Sequence, residues 1–350
     1  MTALNLSLLT AYTPATSGSY TFSVTRDQII RAAMMDIGAL AEGENPTAQE
    51  VSDCALKLNM MVKQWMGNTD FAPGLKVWTR KRADLFLGNS KYLYNLGQTG
   101  DHWVDSTAGL NYPQAYGQTQ LTGAVAAAGT VLPVASVSQF NINDYLGVQI
   151  GSDIYWTRVA GIGSTSVTIA SPGLPSPGAL ANAYVWNYTN KGIRPLVMVT
   201  CILRDIYAND TTLRIFRTVE EYESLPTKTA STNIADPTAI FYESQFKNQQ
   251  PNGQLYLDVG GAQDITKHLH CVYLAPTQDF LNPGDAPDYP QEWYRALVLG
   301  HGRDIAGMFD CAWTDDLEAN YKDALAIAKQ GNPAESAVYF QVNSDEPYGP

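Results

Sequence analysis

Two capping boxes, Thr25 with Gln28 and Thr47 with Glu50, constrain this chain more than any other feature in it. In each, a threonine stands three residues ahead of a carboxamide or carboxylate, the spacing that satisfies two of the backbone N–H groups left unpaired at a helix start. Behind the first box, Ile30, Ala33, Met34 and Ile37 recur on one helical face; behind the second, Val51, Cys54, Ala55, Leu58, Met61 and Trp65 do the same. Between them lies ALAEGENPTAQE. Gly43 can take a positive φ there, and Asn45-Pro46 biases the entry into the second helix toward extended backbone. The pattern predicts an antiparallel helical hairpin over residues 25–68.

A hairpin of that size has too little apolar area to stand alone and needs a partner. The far end of the chain offers one. In DYPQEWYRALVLGHGRDIAGMF, Asp288 is placed to cap, Pro290 falls in the first turn, and Tyr294, Leu297, Val298, His301, Ile305 and Met308 share a face. A further helix is expected from Thr314, with Asp315, Asp316 and Glu318 in its first turn, where the helix dipole favours anions. Leu317, Tyr321, Ala324, Leu325 and Ala328 form its stripe, and Gly331-Asn332-Pro333 ends it. Two hairpins, 25–68 and 286–331, predict a four-helix bundle.

Residues between them change character to alternating strands and turn residues, as in KYLYNL and QLYLDVG. The expected class is therefore α+β: a four-helix bundle from the terminal hairpins, with a large, mainly β middle region over 69–118 and 190–285. Residues 119–189, with VLPVASV, YLGVQIG, DIYWTRVAG, TSVTIAS and AYVWNYT spaced by turn residues, suggest an inserted small β-sandwich or barrel. Residues 1–24 are left as an N-terminal arm and 332–350 as a C-terminal tail.

Charge narrows the function. With 350 residues, a formal net charge of −12 and a pI near 4.7, the chain is poorly suited to gripping nucleic acid, whose affinity comes from Lys and Arg displacing counterions. Transient passage of DNA stays compatible with it. The densest basic stretch is WTRKRAD, where Arg80, Lys81 and Arg82 are candidate DNA contacts and a charge-guarded strand edge is the competing explanation. Arg204, Arg214 and Arg217 form a looser second group. Cys54, Cys201, Cys271 and Cys311 lie far apart in patterned segments and read as small buried hydrophobes rather than a disulfide frame, which implies folding in a reducing cytosol. No apolar run is long enough to span a bilayer, and the N-terminus lacks the marks of a signal peptide.

Chemistry-bearing patterns are sparse. In KHLHC, His268 and His270 share one strand face and Cys271 the other, without the second ligand pair that structural zinc needs. His301 on an apolar helix face reads as a hydrogen-bonded core residue. The carboxylates Asp315, Asp316 and Glu318 are explained by their helix start without catalysis. Nucleophile-elbow, phosphate-loop, dinucleotide and zincin motifs do not occur. No catalytic residue, metal or cofactor is expected.

The terminal segments, TRDQIIRAAMMDIGALAEGENPTAQEVSDCALKLNMMVKQW and DYPQEWYRALVLGHGRDIAGMF with LEANYKDALAIAKQ, resemble the opening and closing helices of the podovirus portal adaptors. These are head-to-tail connector proteins, among them tail tubular protein A and the packaged-DNA-stabilising adaptor. The resemblance covers about a quarter of the chain and lies in order and cadence rather than in any one residue. It implies a non-enzymatic virion protein, made in the bacterial cytoplasm and placed in the neck. There it would form a ring with copies of itself, usually dodecameric, through which double-stranded DNA passes. Its partners would be the portal protein and further tail proteins, nozzle or tail tube, with tail fibres or capsid reached through the 119–189 insertion. In the tail, Ala337, Val338, Tyr339, Phe340, Gln341 and Val342 form a β-prone run that is expected to dock on the portal. A phage-associated peptidoglycan hydrolase is one alternative. A glycan- or receptor-binding module, suggested by Tyr155, Trp156, Tyr184, Trp186 and Tyr188, is the other.

Overall fold

The computed structural model describes residues 19–66, 80–106, 116–244 and 252–330. The chain divides into two compact units, one drawn from both ends (Met1–Leu75 with Gln278–Pro350) and one from Lys76–Thr277. Among the described residues there are five α-helices: α1 (Arg26–Asp36), α2 (Ala48–Trp65), α3 (Val219–Glu223), α4 (Tyr294–Ile305) and α5 (Asp315–Gln330). All but α3 belong to the first unit. None is long and apolar enough to cross a membrane.

Both capping boxes form. The Thr25 N–H donates to Gln28 Oε1 at 2.9 Å and the Gln28 N–H to Thr25 Oγ1 at 3.3 Å. Thr47 and Glu50 make the same reciprocal pair at 2.7 and 3.3 Å. Gly38, at φ +77°, turns the chain out of α1 before Gly43, at φ +86°, is reached. At the other end, Asp288 does not cap α4. The chain enters that helix through a 3-10 turn, Gln291–Trp293, with no side-chain cap on either element.

The expected four-helix bundle is not what the chain builds. Its described part is mainly β, with seventeen strands in four sheets, and the helices are arranged around α4 instead of side by side. The reason lies in α4 itself. Ala296 to Gly302 are buried without a break, so the helix is enclosed on all sides rather than along one stripe. It packs on α1, α2 and α5, while α5 meets α4 and the 3-10 turn. Two glycines permit this. A Cβ on Gly300 would lie 2.9 Å from Trp65 Cζ2 and 3.2 Å from Tyr321 Cε2, and one on Gly302 would lie 3.2 Å from Ile37 Cγ2. Gly300→Ala is therefore expected to destabilise the helical unit by about 1–3 kcal/mol through overpacking, despite alanine's better helix propensity. Gly307→Ala, which would meet nothing within 4 Å, serves as the control in denaturant unfolding.

The second unit holds the strands β1 (Arg80–Phe86), β2 (Leu93–Leu96), β3 (Trp103–Ser106), β4 (Gly117–Gln120), β5 (Val131–Pro133), β6 (Tyr145–Ile150), β7 (Asp153–Ile162), β8 (Ser166–Ile169) and β9 (Tyr184–Tyr188). They are followed by β10 (Val197–Arg204), β11 (Asp210–Thr212), β12 (Arg214–Phe216), β13 (Ile234–Ala235), β14 (Ala239–Glu243), β15 (Gly253–Leu257), β16 (Gly261–Ala262) and β17 (His268–Leu274). A five-stranded sheet runs β11-β10-β17-β1-β3 and a four-stranded one β12-β14-β15-β2. Ala83, Leu85, Leu203 and Leu269 of the first pack with Tyr94, Leu96, Ile240 and Leu255 of the second to form the main core. β13 and β16 make a short parallel pair.

The remaining six strands form the sheet β4-β9-β6-β7-β8-β5. It curls until its two edges meet: Leu121 bridges Val134, and the Thr122 N–H donates to Pro133 O at 2.9 Å. Its interior is a separate apolar cluster that includes Leu132, Leu146, Val148, Val167 and Val185. A third cluster, with Phe86, Tyr116, Ile154, Trp186 and Tyr188, joins residues of the five-stranded and six-stranded sheets.

Candidate functional site

Strand alternation gives the five-stranded sheet two faces of opposite chemistry. Ala83, Leu85, Leu203 and Leu269 point into the main core, so their neighbours Asp84, Arg204, His268 and His270 stand on the other face. Register brings these together: Asp84 lies opposite His270, and Arg204 opposite both His268 and Asp210. All four are nearly inaccessible, at 2% to 7% relative exposure.

Their hydrogen bonds form a buried network. His270 Nδ1 is 2.6 Å from Asp84 Oδ1, and His268 Nε2 is 3.5 Å from the same oxygen. The Tyr116 hydroxyl lies 3.2 Å from His268 Nε2. Arg204 donates to both Asp210 oxygens, Nε at 2.7 Å and Nη2 at 2.8 Å, and holds that carboxyl below the usual range. Burial draws His268 down to about 4 against the opposing charge of Asp84. Burial also pushes the Tyr116 hydroxyl well up, which leaves it unsuited to act as a nucleophile. This arrangement satisfies buried charge and fixes strand register.

The KHLHC histidines thus share a face as alternation requires, and both turn toward Asp84. Among the described residues, no group of three or more His, Cys, Asp or Glu is placed to hold a metal ion. The reading of the cysteines changes. Cys201 and Cys271 are register partners on β10 and β17, with Cα atoms 4.2 Å apart, and form a disulfide; Cys54 and Cys311 are free. The two are 70 residues apart in sequence, so the pairing arises from the strand register and leaves no mark in local spacing.

Arg80, Lys81 and Arg82 open β1, and alternation divides them. Arg80 and Arg82 fall on the face of Asp84, while Lys81 falls on the opposite one and pairs with Asp105 at 3.3 Å. From Arg82 to Leu85, β1 is bonded to both β17 and β3, so it is an interior strand there and not a charge-guarded edge. Arg204 is taken up by Asp210 inside the unit, whereas Arg214 and Arg217 are exposed beside Glu221. Glu318 accepts from Trp313 Nε1 at 2.9 Å and pairs with Arg303 and Lys322, a structural role at the start of α5. His301 is fully buried as expected. Neither of its ring nitrogens, however, has a hydrogen-bond partner among the described residues. The run Ala337–Val342 lies outside the described residues.

Sequence reasoning missed Asp84 and its bond to His270. A signal was available in polar residues at alternate positions of two otherwise apolar strands, RADLF and HLHCVYL. Comparison of the chain with protein-family models, with curated proteins and with solved structures finds no match.

Proposed function

We propose that this chain is a structural subunit of a virion neck, forming with its own copies an adaptor ring between a portal and the tail, through which double-stranded DNA passes. One observation carries the reading. The segments that resemble the adaptor family lie at opposite ends of the sequence, and α1, α2, α4 and α5 fold into one compact unit, while the strands belong to the other. A subunit of a conduit needs a small self-contained block that can be repeated around an axis. Leu56 and Met60, one turn apart on α2 and about 60% exposed, offer that block an apolar face for a neighbouring copy. The net charge of −12 suits a channel that must let phosphates slide, with Arg80 and Arg82 as the candidates to position them. Portal, further tail proteins, and fibres or capsid met by the six-stranded sheet are the partners this reading assigns.

Incubating the purified chain with portal-bearing heads should add a ring of density below the portal in electron micrographs. Truncation after Asn332 should leave the melting transition unchanged and abolish attachment, because the run from Ala337 to Val342 is assigned to portal docking. Attachment of the truncated chain at full affinity would remove the tail from the mechanism. Failure of the full chain to join any portal would reject the adaptor role itself.

A further inference from the structure

A cavity of about 230 Å³ opens in the β unit where the end of β1, the turn after it, the residues before β3 and the start of β7 converge. One wall is apolar: Phe86, Leu87, Ile154 and Trp156. That wall is fixed in place, because the His102 ring stacks on Trp156 at 3.7 Å with 9° between the planes, and Phe86 meets Trp156 edge-on at 5.1 Å. The other wall is polar, with Lys91, Asp101, His102 and Asp153.

The unused hydrogen-bonding capacity of the polar wall is mixed in sign. Lys91 Nζ has three N–H groups and uses one on Asp101 Oδ1. Asp153 Oδ1 accepts from its own strand at the Ile154 N–H, and Oδ2 has no hydrogen bond among the described residues. His102 Nδ1 is engaged with the Tyr188 hydroxyl at 2.6 Å, and Nε2 has no hydrogen bond among the described residues. The Tyr94 hydroxyl is already saturated, accepting from the Gly88 N–H and donating to Lys91 O.

This mixture discriminates among ligands. An anion in the cavity would face Asp101 and Asp153, and a cation would face Lys91. A neutral polyol is the chemistry that uses both, since every hydroxyl donates and accepts, and the C–H face of a pyranose ring matches a rigid aromatic and aliphatic wall. Size points the same way, for the cavity is smaller than the roughly 300–1,000 Å³ of sites for drug-sized ligands and suits one ring. We propose that this cavity binds a single residue of a neutral sugar, as it occurs free or at the end of a surface polysaccharide. The inference stands independently of the adaptor reading, since portal attachment and sugar binding are separate measurements.

The test is saturation-transfer NMR and titration of the full chain with glucose, galactose, mannose and N-acetylglucosamine, and with short oligosaccharides ending in each. Gly88 lines the cavity, its φ lies outside the left-handed region, and a Cβ there would meet nothing closer than 3.5 Å, so Gly88→Leu is the variant chosen to fill the space, with an unchanged melting transition as its folding control. Saturable millimolar binding of at least one sugar is expected, with a loss of ten-fold or more in both Gly88→Leu and Asp153→Ala. Tighter binding of an oligosaccharide than of its terminal monosaccharide would assign the site to a polysaccharide end, and equal binding to the free sugar. No saturable binding to tens of millimolar, or binding that survives Gly88→Leu, would overturn the proposal. Phosphate or a divalent cation binding in place of every sugar would overturn it as well.

Discussion

Replacing Asp84 with alanine is expected to destabilise the β unit by about 1–3 kcal/mol, the range for leaving a buried hydrogen-bonding group unsatisfied by removing its partner. The carboxylate is 2% exposed and is the partner at 2.6 Å of His270, which is itself 3% exposed. Truncation would take the carboxylate partner away from His270 Nδ1 in a site that water does not reach. Asp84→Asn keeps an oxygen to accept the bond and should recover part of the loss. The double variant Asp84→Leu/His270→Leu should be less damaging than Asp84→Ala alone, because it removes both ends of the 2.6 Å bond together. Denaturant unfolding of wild type, Asp84→Leu, His270→Leu and the double variant closes the cycle, with Asp84→Ala and Asp84→Asn measured beside it. An Asp84→Ala protein within about 0.5 kcal/mol of wild type would show that the network contributes no stability.

That network also marks how far the sequence could be read. The caps at Thr25 and Thr47 were legible because capping is a local interaction, decided within four residues. The four-helix bundle was not, because stripe-like spacing in α4 conceals a helix buried on every side, and burial is set by what surrounds it. Gly300 and Gly302 were the visible sign, two glycines in the middle of a helix where each costs propensity and needs a packing reason. The buried face of the five-stranded sheet depends on which strands pair. Asp84 and His270 are 186 positions apart in the chain, and nothing local in either strand names the other. The same holds for Cys201 and Cys271, which each look like an isolated small core residue until β10 is set beside β17. For the sugar cavity, Trp156 stands out in the sequence as an aromatic of the insertion, but Lys91, Asp101 and His102 enter from loops whose approach to β7 no periodicity encodes.

Acid should weaken the helical unit through His301. This side chain is wholly buried in α4, neither nitrogen has a partner among the described residues, and burial, aided by the charge of Lys57, holds it down to about 4 from an ordinary 6.5. In the folded chain it therefore stays neutral where the unfolded chain has already taken up a proton. Between pH 6.5 and 4 the unfolded state binds more protons, so stability rises with pH across that window and is complete above it. A shift of this size corresponds to about 3 kcal/mol lost on acidification to the lower limit. Asp304, whose carboxyl burial pushes up, works in the opposite sense, since its folded form gains protons first; it offsets part of the loss toward the acid end. His268 and His102, lowered to about 4 and about 3 by burial, give the β unit the same direction of response. The difference between wild type and His301→Leu isolates the helical term. At pH 7 the leucine should be nearly neutral or slightly stabilising, because it replaces two unsatisfied nitrogens with apolar surface. At pH 4.5 it should be the more stable protein by about 2–3 kcal/mol in denaturant unfolding. Parallel stability curves for the two proteins from pH 7 to 4 would show that His301 finds a partner for its proton inside the fold.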